Sequence, residues 1–171
     1  MYQYITNEAH YEQVLKHSFQ ARESLWIGTA DIKDLHVSYK GSFVPYLKVL
    51  SELLGRGVMI RLIHAKEPGE NFRRDFDKYP RVWKNMERML CPRVHFKLII
   101  IDMQLAYIGS ANLTGAGIGA KTPKKRNFEA GIFTNNPQIV EQASGQFDEV
   151  WMGKFCRDCA RRDYCADRVI D

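Results

Sequence analysis

Nowhere does the sequence offer an apolar run approaching the ~20 residues that cross a bilayer as a helix, so no helical membrane span is expected. Its opening, MYQYITNEAHYEQ, lacks both a basic n-region and an apolar h-region. No secretory signal is read there, and a cytoplasmic setting is expected. There is no internal repeat and no low-complexity segment. With 45% hydrophobic and 26% charged residues, the composition is that of a soluble globular protein rather than a disordered one. A chain of 171 residues holds one domain with a sizeable core and is too short for two ordinary ones.

An excess of charge of either sign is also missing from the first part of the chain. Residues 1–60 carry six Lys/Arg and six Asp/Glu, whereas residues 61–171 carry 19 and 14, so the whole net excess of +5 lies there. That asymmetry favours an anionic partner such as nucleic acid or an anionic lipid surface, although many ordinary enzymes are this basic.

The pattern of apolar residues alternates between periods of two and of 3.6. Tyr2 to Thr6 reads as a first strand, and Asn7 as the cap of a helix carrying Tyr11, Val14, Leu15 and Phe19, with His17 beside them. Ser24–Ala30 and Val58–Ala65 read as strands. Asp31 to Gly41 reads as a polar loop, and Ser42 as the cap of a helix with Pro45 in its first turn. Residues 67–91 read as loop plus helix, broken near Pro80. Arg93–Ile101 and Leu105–Ile108 form a hairpin, Asn127–Thr134 a further strand, and Asn136-Pro137 starts a last helix to about Met152. This order predicts an α/β domain, a mixed central β-sheet flanked by helices on both faces, over residues 1–152. Residues 153–171 form a separate cysteine-rich tail.

The chemistry concentrates in VHFKLIIIDMQLAYIGSANLTG, residues 94–115. Residues two apart on a strand share a face, so His95 and Lys97 project together from a strand that otherwise reads as core. Gly109 lets the backbone turn tightly and approach a ligand, and Ser110 and Asn112 add short donors. A nucleophilic nitrogen, a fixed cation and neutral donors suit the holding of a phosphate while its phosphorus is attacked. A lone His-x-Lys on a strand is usually surface decoration. Six residue types at fixed spacing arise by chance on the order of 10⁻⁸ per position.

His95, Lys97, Asp102, Gly109, Ser110 and Asn112 together resemble the HKD motif of the phospholipase D superfamily, with every motif position filled. Glu129, in NFEAGI, fits the place of the glutamate that usually follows. The resemblance covers about residues 1–152 and implies the superfamily's sandwich fold and its roles. His95 would attack phosphorus and form a phosphohistidine. Lys97 and Asn112 would bind the non-bridging oxygens, and Ser110 would help to orient the phosphate. Glu129 would accept from the far nitrogen of His95 and fix its tautomer. Asp102, of opposite strand parity, reads as a structural member of the set. No catalytic metal is implied. The family's chemistry needs two histidines, one to attack and one to protonate the leaving oxygen. This chain has one motif, and its other histidines, at 10, 17, 36 and 64, lack the surrounding pattern. His64 ends a strand and is read as structural. The family's short members solve this as homodimers that bring His95 and its symmetry mate into one shared site.

Lys121, Lys124, Lys125 and Arg126 lie in the loop between Asn112 and Glu129. Arg73 and Arg74 begin a stripe continued by Lys78, Arg81, Lys84 and Arg88. Such cations would follow a polyanion backbone, although the stripe reads equally well as a solvated basic face. No apolar loop or amphipathic anchor of a lipase is found, so phospholipid is the less favoured substrate. The leading expectation is a dimeric endonuclease acting on DNA or RNA. The alternatives are a phospholipid hydrolase or phosphatidyltransferase, and a nucleic-acid-binding subunit whose site is idle.

Cysteine is sparse, and three of the four lie in KFCRDCARRDYCADR as C-x2-C-x5-C. In a cytosolic chain that spacing reads as a metal site rather than as disulfides. Cys91 would complete a set with Cys156, Cys159 and Cys165. One distant cysteine plus this spacing looks like the iron staple of iron–sulfur nuclease domains, which implies a structural [4Fe–4S] cluster. Structural zinc is the alternative, and four free thiols the plainest reading.

Overall fold

The computed structural model describes residues 1–169. A seven-stranded sheet runs in the order β1-β9-β8-β7-β2-β5-β6, from β1 (Tyr2–Thr6), β2 (Ser24–Thr29), β5 (Met59–His64), β6 (Glu87–Leu90), β7 (Lys97–Ile101), β8 (Leu105–Gly109) and β9 (Ala130–Thr134). The β2–β5–β6 pairs are parallel and the others antiparallel, so the sheet is mixed as expected. The isoleucine run of β7 occupies the middle of the sheet. Ile99 and Ile101 face one core, Leu98 and Ile100 the other, and this two-sided burial explains why the strand does not alternate with polar residues.

On the first face lie a π-helical turn (His10–Leu15) running into α1 (Lys16–Ser18), then α2 (Tyr46–Gly55), α3 (Glu70–Asp77) and α4 (Pro80–Asn85). They bury Val14, Leu15, Leu50, Leu53, Phe72 and Val82. On the second face a single helix, α5 (Pro137–Trp151), lays Val140, Ala143 and Phe147 over Leu98, Ile100 and Ala106. Asn136 caps α5, accepting from Ile139 N at 3.1 Å, with Pro137 at the first helical position.

Several local expectations give way. Asp31–Gly41 is not all loop, and Ser42 caps no helix. His36–Tyr39 (β3) and Ser42–Pro45 (β4) form a small hairpin, closed by Lys40 and Gly41, both with positive φ. Two left-handed residues are what a tight hairpin turn needs, and α2 begins only after Pro45. Asn7 is itself left-handed, at φ 47°, and so does not cap the first helix. The helical stretch is indeed broken near Pro80, with α3 ending at Asp77 and Pro80 starting α4, but Glu87–Leu90 forms edge strand β6 rather than loop or helix. The strand expected from Arg93 begins at Lys97. Pro92 has no N–H for a ladder, and Val94 N turns back to the Cys91 carbonyl at 3.0 Å.

Candidate active site

One edge of the sheet collects the motif residues. Antiparallel pairing sets Leu98 of β7 beside Gly28 of β2, and Lys97 beside Gly109 of β8. The start of β7 therefore meets the ends of β2 and β8. His95 lies in the turn just before β7 and is exposed, whereas Lys97 is buried. The Lys97 ammonium donates to the His95 carbonyl at 2.7 Å and stands 3.2 Å from Nδ1 and 3.4 Å from Nε2. It thus stands nearly equidistant from the two ring nitrogens, and one phosphate can touch both groups. Burial pulls the Lys97 ammonium below the ordinary lysine range, and the nearby Glu129 carboxylate opposes that shift.

Asn112 is oriented by the end of β2. Its Oδ1 accepts from Ala30 N and Asp31 N, both at 3.1 Å. Because both partners can only donate, the amide orientation is fixed and the Nδ2 hydrogens are free to meet an anion. Thr29, which belongs to no motif legible in the sequence, supports this corner. Its hydroxyl donates to the Asp31 carbonyl at 2.8 Å and accepts from Leu113 N at 3.0 Å.

Ser110 and Glu129 face each other across the end of the β8–β9 pair. Ser110 Oγ donates to Glu129 Oε2 at 2.5 Å and accepts from Ala130 N at 3.0 Å. Glu129 Oε1 accepts from Asn127 Nδ2 at 3.0 Å. Within one chain, then, Glu129 is held by Ser110 and Asn127 and not by His95. The Ser110 hydroxyl positions this carboxylate rather than standing free for phosphate. Gly109 also has a packing reason: a Cβ there would lie 2.2 Å from the Tyr107 hydroxyl and 2.6 Å from the Ala130 carbonyl, so the backbone approaches its own neighbours closely. Tyr107 is fully buried, and burial pushes its phenol up to about 12.

Asp102, counted with the catalytic set on its motif position, lies at the far end of β7 from His95. Its carboxylate accepts from Arg22 N, Glu23 N and Ser24 N at 3.1, 2.8 and 3.0 Å, and its backbone is left-handed at φ 52°. It ties the entry of β2 to the β7–β8 turn. His10 and His64 are buried, with Nδ1 2.9 Å from the Asn7 carbonyl and 2.8 Å from the Lys66 carbonyl respectively.

The basic residues divide. Lys121, Lys124 and Lys125 are exposed in the loop after Asn112. Arg126 instead pairs with Glu8 at 2.6 Å and donates to the Lys121 carbonyl at 2.7 Å. The stripe is split between α3, α4 and β6. Arg73 is exposed, whereas Arg74 donates to Asn71, Lys78 pairs with Asp75, and Arg81 donates to the Ser51 carbonyl.

Among the described residues, the tail after α5 buries no side chain. Cys91, Cys156, Cys159 and Cys165 all border one cavity of about 270 Å³. Burial pushes the Cys165 thiol up. The Arg161 backbone N–H, then the Arg93 side chain, hold the Cys159 thiol down. Among the described residues, no three His, Cys, Asp or Glu side chains converge closely enough to hold a single metal ion.

Residues 15–151 match the family described as "Cardiolipin synthase, PLD-like domain". The chain belongs to that family, and its mixed seven-stranded sheet is the phospholipase D-like fold. It is similar to NucT from Helicobacter pylori, at 16% identity and a TM-score of 0.63 over 88% of this chain and 95% of that one. It is equally similar to Nuc, a phospholipase D family member from Salmonella typhimurium, at 17% identity and a TM-score of 0.64 over 88% and 93%. TrmBL2, an archaeal chromatin protein, shares the fold at 12% identity and a TM-score of 0.60 over 88% of this chain and 51% of that one. Among curated proteins nothing matches. No helix among the described residues is long and apolar enough to cross a membrane.

Proposed function

We propose that the protein is a phosphodiesterase, an endonuclease acting on DNA or RNA without a catalytic metal, through a phosphohistidine formed in a homodimeric site in the cytoplasm. The observation that carries this reading is the exposed His95 imidazole set against the buried Lys97 ammonium, beside an Asn112 amide whose donors are free. His95 attacks phosphorus, the P–N bond forms and the bond to the leaving oxygen breaks. His95 of the partner subunit gives that oxygen its proton. The same histidine then takes a proton from water, whose oxygen attacks phosphorus and breaks the P–N bond. Lys97 and Asn112 hold the non-bridging oxygens as negative charge grows, in a setting where burial strengthens the attraction. Lys121, Lys124 and Lys125 follow the polyanion backbone beyond the cleaved bond. The four cysteines hold a structural metal centre, zinc or iron–sulfur, that fastens the tail after α5 to the domain.

Cleavage of labelled single- and double-stranded DNA and RNA in excess EDTA tests the reading. Wild type is expected to cut at least one of them, and His95→Ala to lose at least a thousandfold in rate. Turnover of phosphatidyl lipid in vesicles without cleavage of any nucleic acid would move the assignment to a phospholipid hydrolase.

A further inference from the structure

Buried Val94 sits between two exposed residues, Arg93 and His95. The chain turns here, with Val94 N donating to the Cys91 carbonyl at 3.0 Å, and both neighbours of Val94 are left outside the core. His95 is the reacting group, whereas Arg93 belongs to no part of the motif. Both line one open cleft of about 530 Å³, which Pro92, Asp158, Ala160 and Arg161 complete. Asp158, Ala160 and Arg161 come from the tail, beyond residues 15–151 that match the family.

Hydrogen bonds rather than burial seat that wall. From Gly153 to Val169 no residue is buried. Arg161 Nη1 donates to the Pro92 carbonyl at 2.8 Å, and Asp167 accepts from Leu90 N at 2.8 Å. Both bonds grip the segment that leads into His95. A guanidinium carries five N–H donors, so most of the Arg161 fork is left to meet an anion. Asp158 is the one carboxylate among the lining residues. Among the described residues, neither Arg93 nor Arg161 forms an ion pair with it or with any other carboxylate. Arg126 and Lys78 differ, since each is paired with an acid.

Neither Lys97 nor Asn112 lines the cleft. It therefore adjoins the groups that hold the phosphate under attack without including them, and His95 is common to both. Two cations without acidic partners, one step from a reacting phosphate, suit a second phosphate on the same strand. A substrate with a single phosphate has nothing to place there. An internal phosphate of a polynucleotide always has a neighbour.

We propose that Arg93 and Arg161 form a subsite for the phosphate next to the one that His95 attacks, so that the tail selects polynucleotide over single phosphodiesters. The proposal deepens the endonuclease reading above and rests on it. The two arginines hold backbone charge and touch none of the reacting atoms.

Steady-state rates on labelled DNA and RNA oligonucleotides, and on bis(p-nitrophenyl) phosphate with its single diester, separate the two phosphates. In Arg93→Ala and Arg161→Ala, the ratio of kcat/KM on oligonucleotide to kcat/KM on the small diester is expected to fall at least about tenfold, mainly through KM. Arg161→Lys should recover part of that ratio, because it restores the charge without the fork. Arg157→Ala removes an exposed tail arginine outside the cleft and should shift the ratio by less than about twofold. Circular dichroism verifies the fold of each variant. Binding is read separately, by anisotropy of the same oligonucleotides over a range of salt, in an inactive His95→Ala background. Each arginine removed there should weaken binding and reduce the slope of log K against log salt by about 0.7. An unchanged ratio in both variants would overturn the subsite. So would an equal loss on both substrates, because the arginines would then serve His95 or the fold. If wild type cuts no nucleic acid, the endonuclease reading fails and the anisotropy arm still decides the subsite. A reduced salt slope would keep it, and unaltered binding would end it.

Discussion

Asp102 and Asn112 both spend a side-chain oxygen on backbone N–H groups of the β2 region, yet the consequences differ. Asn112 keeps a second functional end, its NH₂, and presents it at the site. Asp102 has only acceptors, and they are committed at the far end of β7. Asp102→Ala should therefore cost stability, about 1–3 kcal/mol by urea denaturation, for the loss of charge-assisted bonds that water partly replaces. The turnover number of the folded protein should stay within about twofold of wild type, and a larger loss at unchanged stability would place Asp102 in the chemistry. Asn112→Ala should do the reverse, with activity down by ~10²-fold or more. Lys97 carries a pH signature. Its folded value is lowered from 10.5, so above that folded value the ammonium, which must be charged to hold phosphate, is lost before an exposed lysine would titrate. The alkaline limb of the rate profile should accordingly fall below pH 10.5. Lys97→Arg should be slower but flat across that limb, since arginine keeps its charge. A wild-type rate that persists unchanged beyond pH 10.5 would contradict the burial argument.

At the scale of the element, the end of the β8–β9 ladder depends on two glycines packed on Tyr107, where a Cβ at Gly109 would come within 2.2 Å of its hydroxyl and 2.6 Å of its Cζ, and one at Gly131 within 2.4 Å of the ring. Gly109→Ala should force β9 away from β8, carrying Glu129 from Ser110. The expected cost is about 2–4 kcal/mol with a fall in activity. Adding Tyr107→Phe removes the hydroxyl clash but leaves those with the ring Cζ and the Ala130 carbonyl, both at 2.6 Å, so the double variant should recover only part of the loss. Full recovery in thermal melts would mean that both remaining contacts are soft. These packing relations also mark what the sequence could and could not convey. Long signals were legible: the isoleucines of β7, the Asn136-Pro137 start of α5, and a motif whose residue types define their own chemistry. Lys40-Gly41 passed unnoticed because only glycine advertises a left-handed turn, and a lysine ahead of it does not. Strand β6 was hidden because ERML at an edge has no alternation to display. The pairing of Ser110 with Glu129 was not legible because it depends on strand register between residues 19 positions apart in the chain. The position of the tail turn beside His95 was not legible either, because it depends on how residues after α5 lie against the segment before β7.

The whole molecule sets two further constraints. One motif supplies one reactive histidine, so an active enzyme should sediment at twice the chain's mass, and activity at dilutions where only monomer remains would contradict the shared site. The other constraint comes from the two buried histidines. His10 and His64 are 0% exposed, and each sets Nδ1 against a backbone carbonyl. A carbonyl can only accept, so Nδ1 carries the proton in both rings. Nε2 is then an unprotonated nitrogen without a partner among the described residues. Burial lowers the affinity of both rings for a second proton, outweighing the carbonyl bonds that raise it. The unfolded chain takes up those protons from about pH 6.5 downward, while the fold resists until a lower pH. Between the two values the unfolded state holds more protons, so stability rises with pH there and is lost as pH falls. Urea unfolding at pH 7.5, 6.5 and 5.5 should show a stable plateau above pH 6.5 and a decline below it, at most about 1.4 kcal/mol per pH unit for each histidine. A flat midpoint down to pH 5.5 would mean that both rings are charged in the fold, which their burial against unpartnered Nε2 atoms opposes.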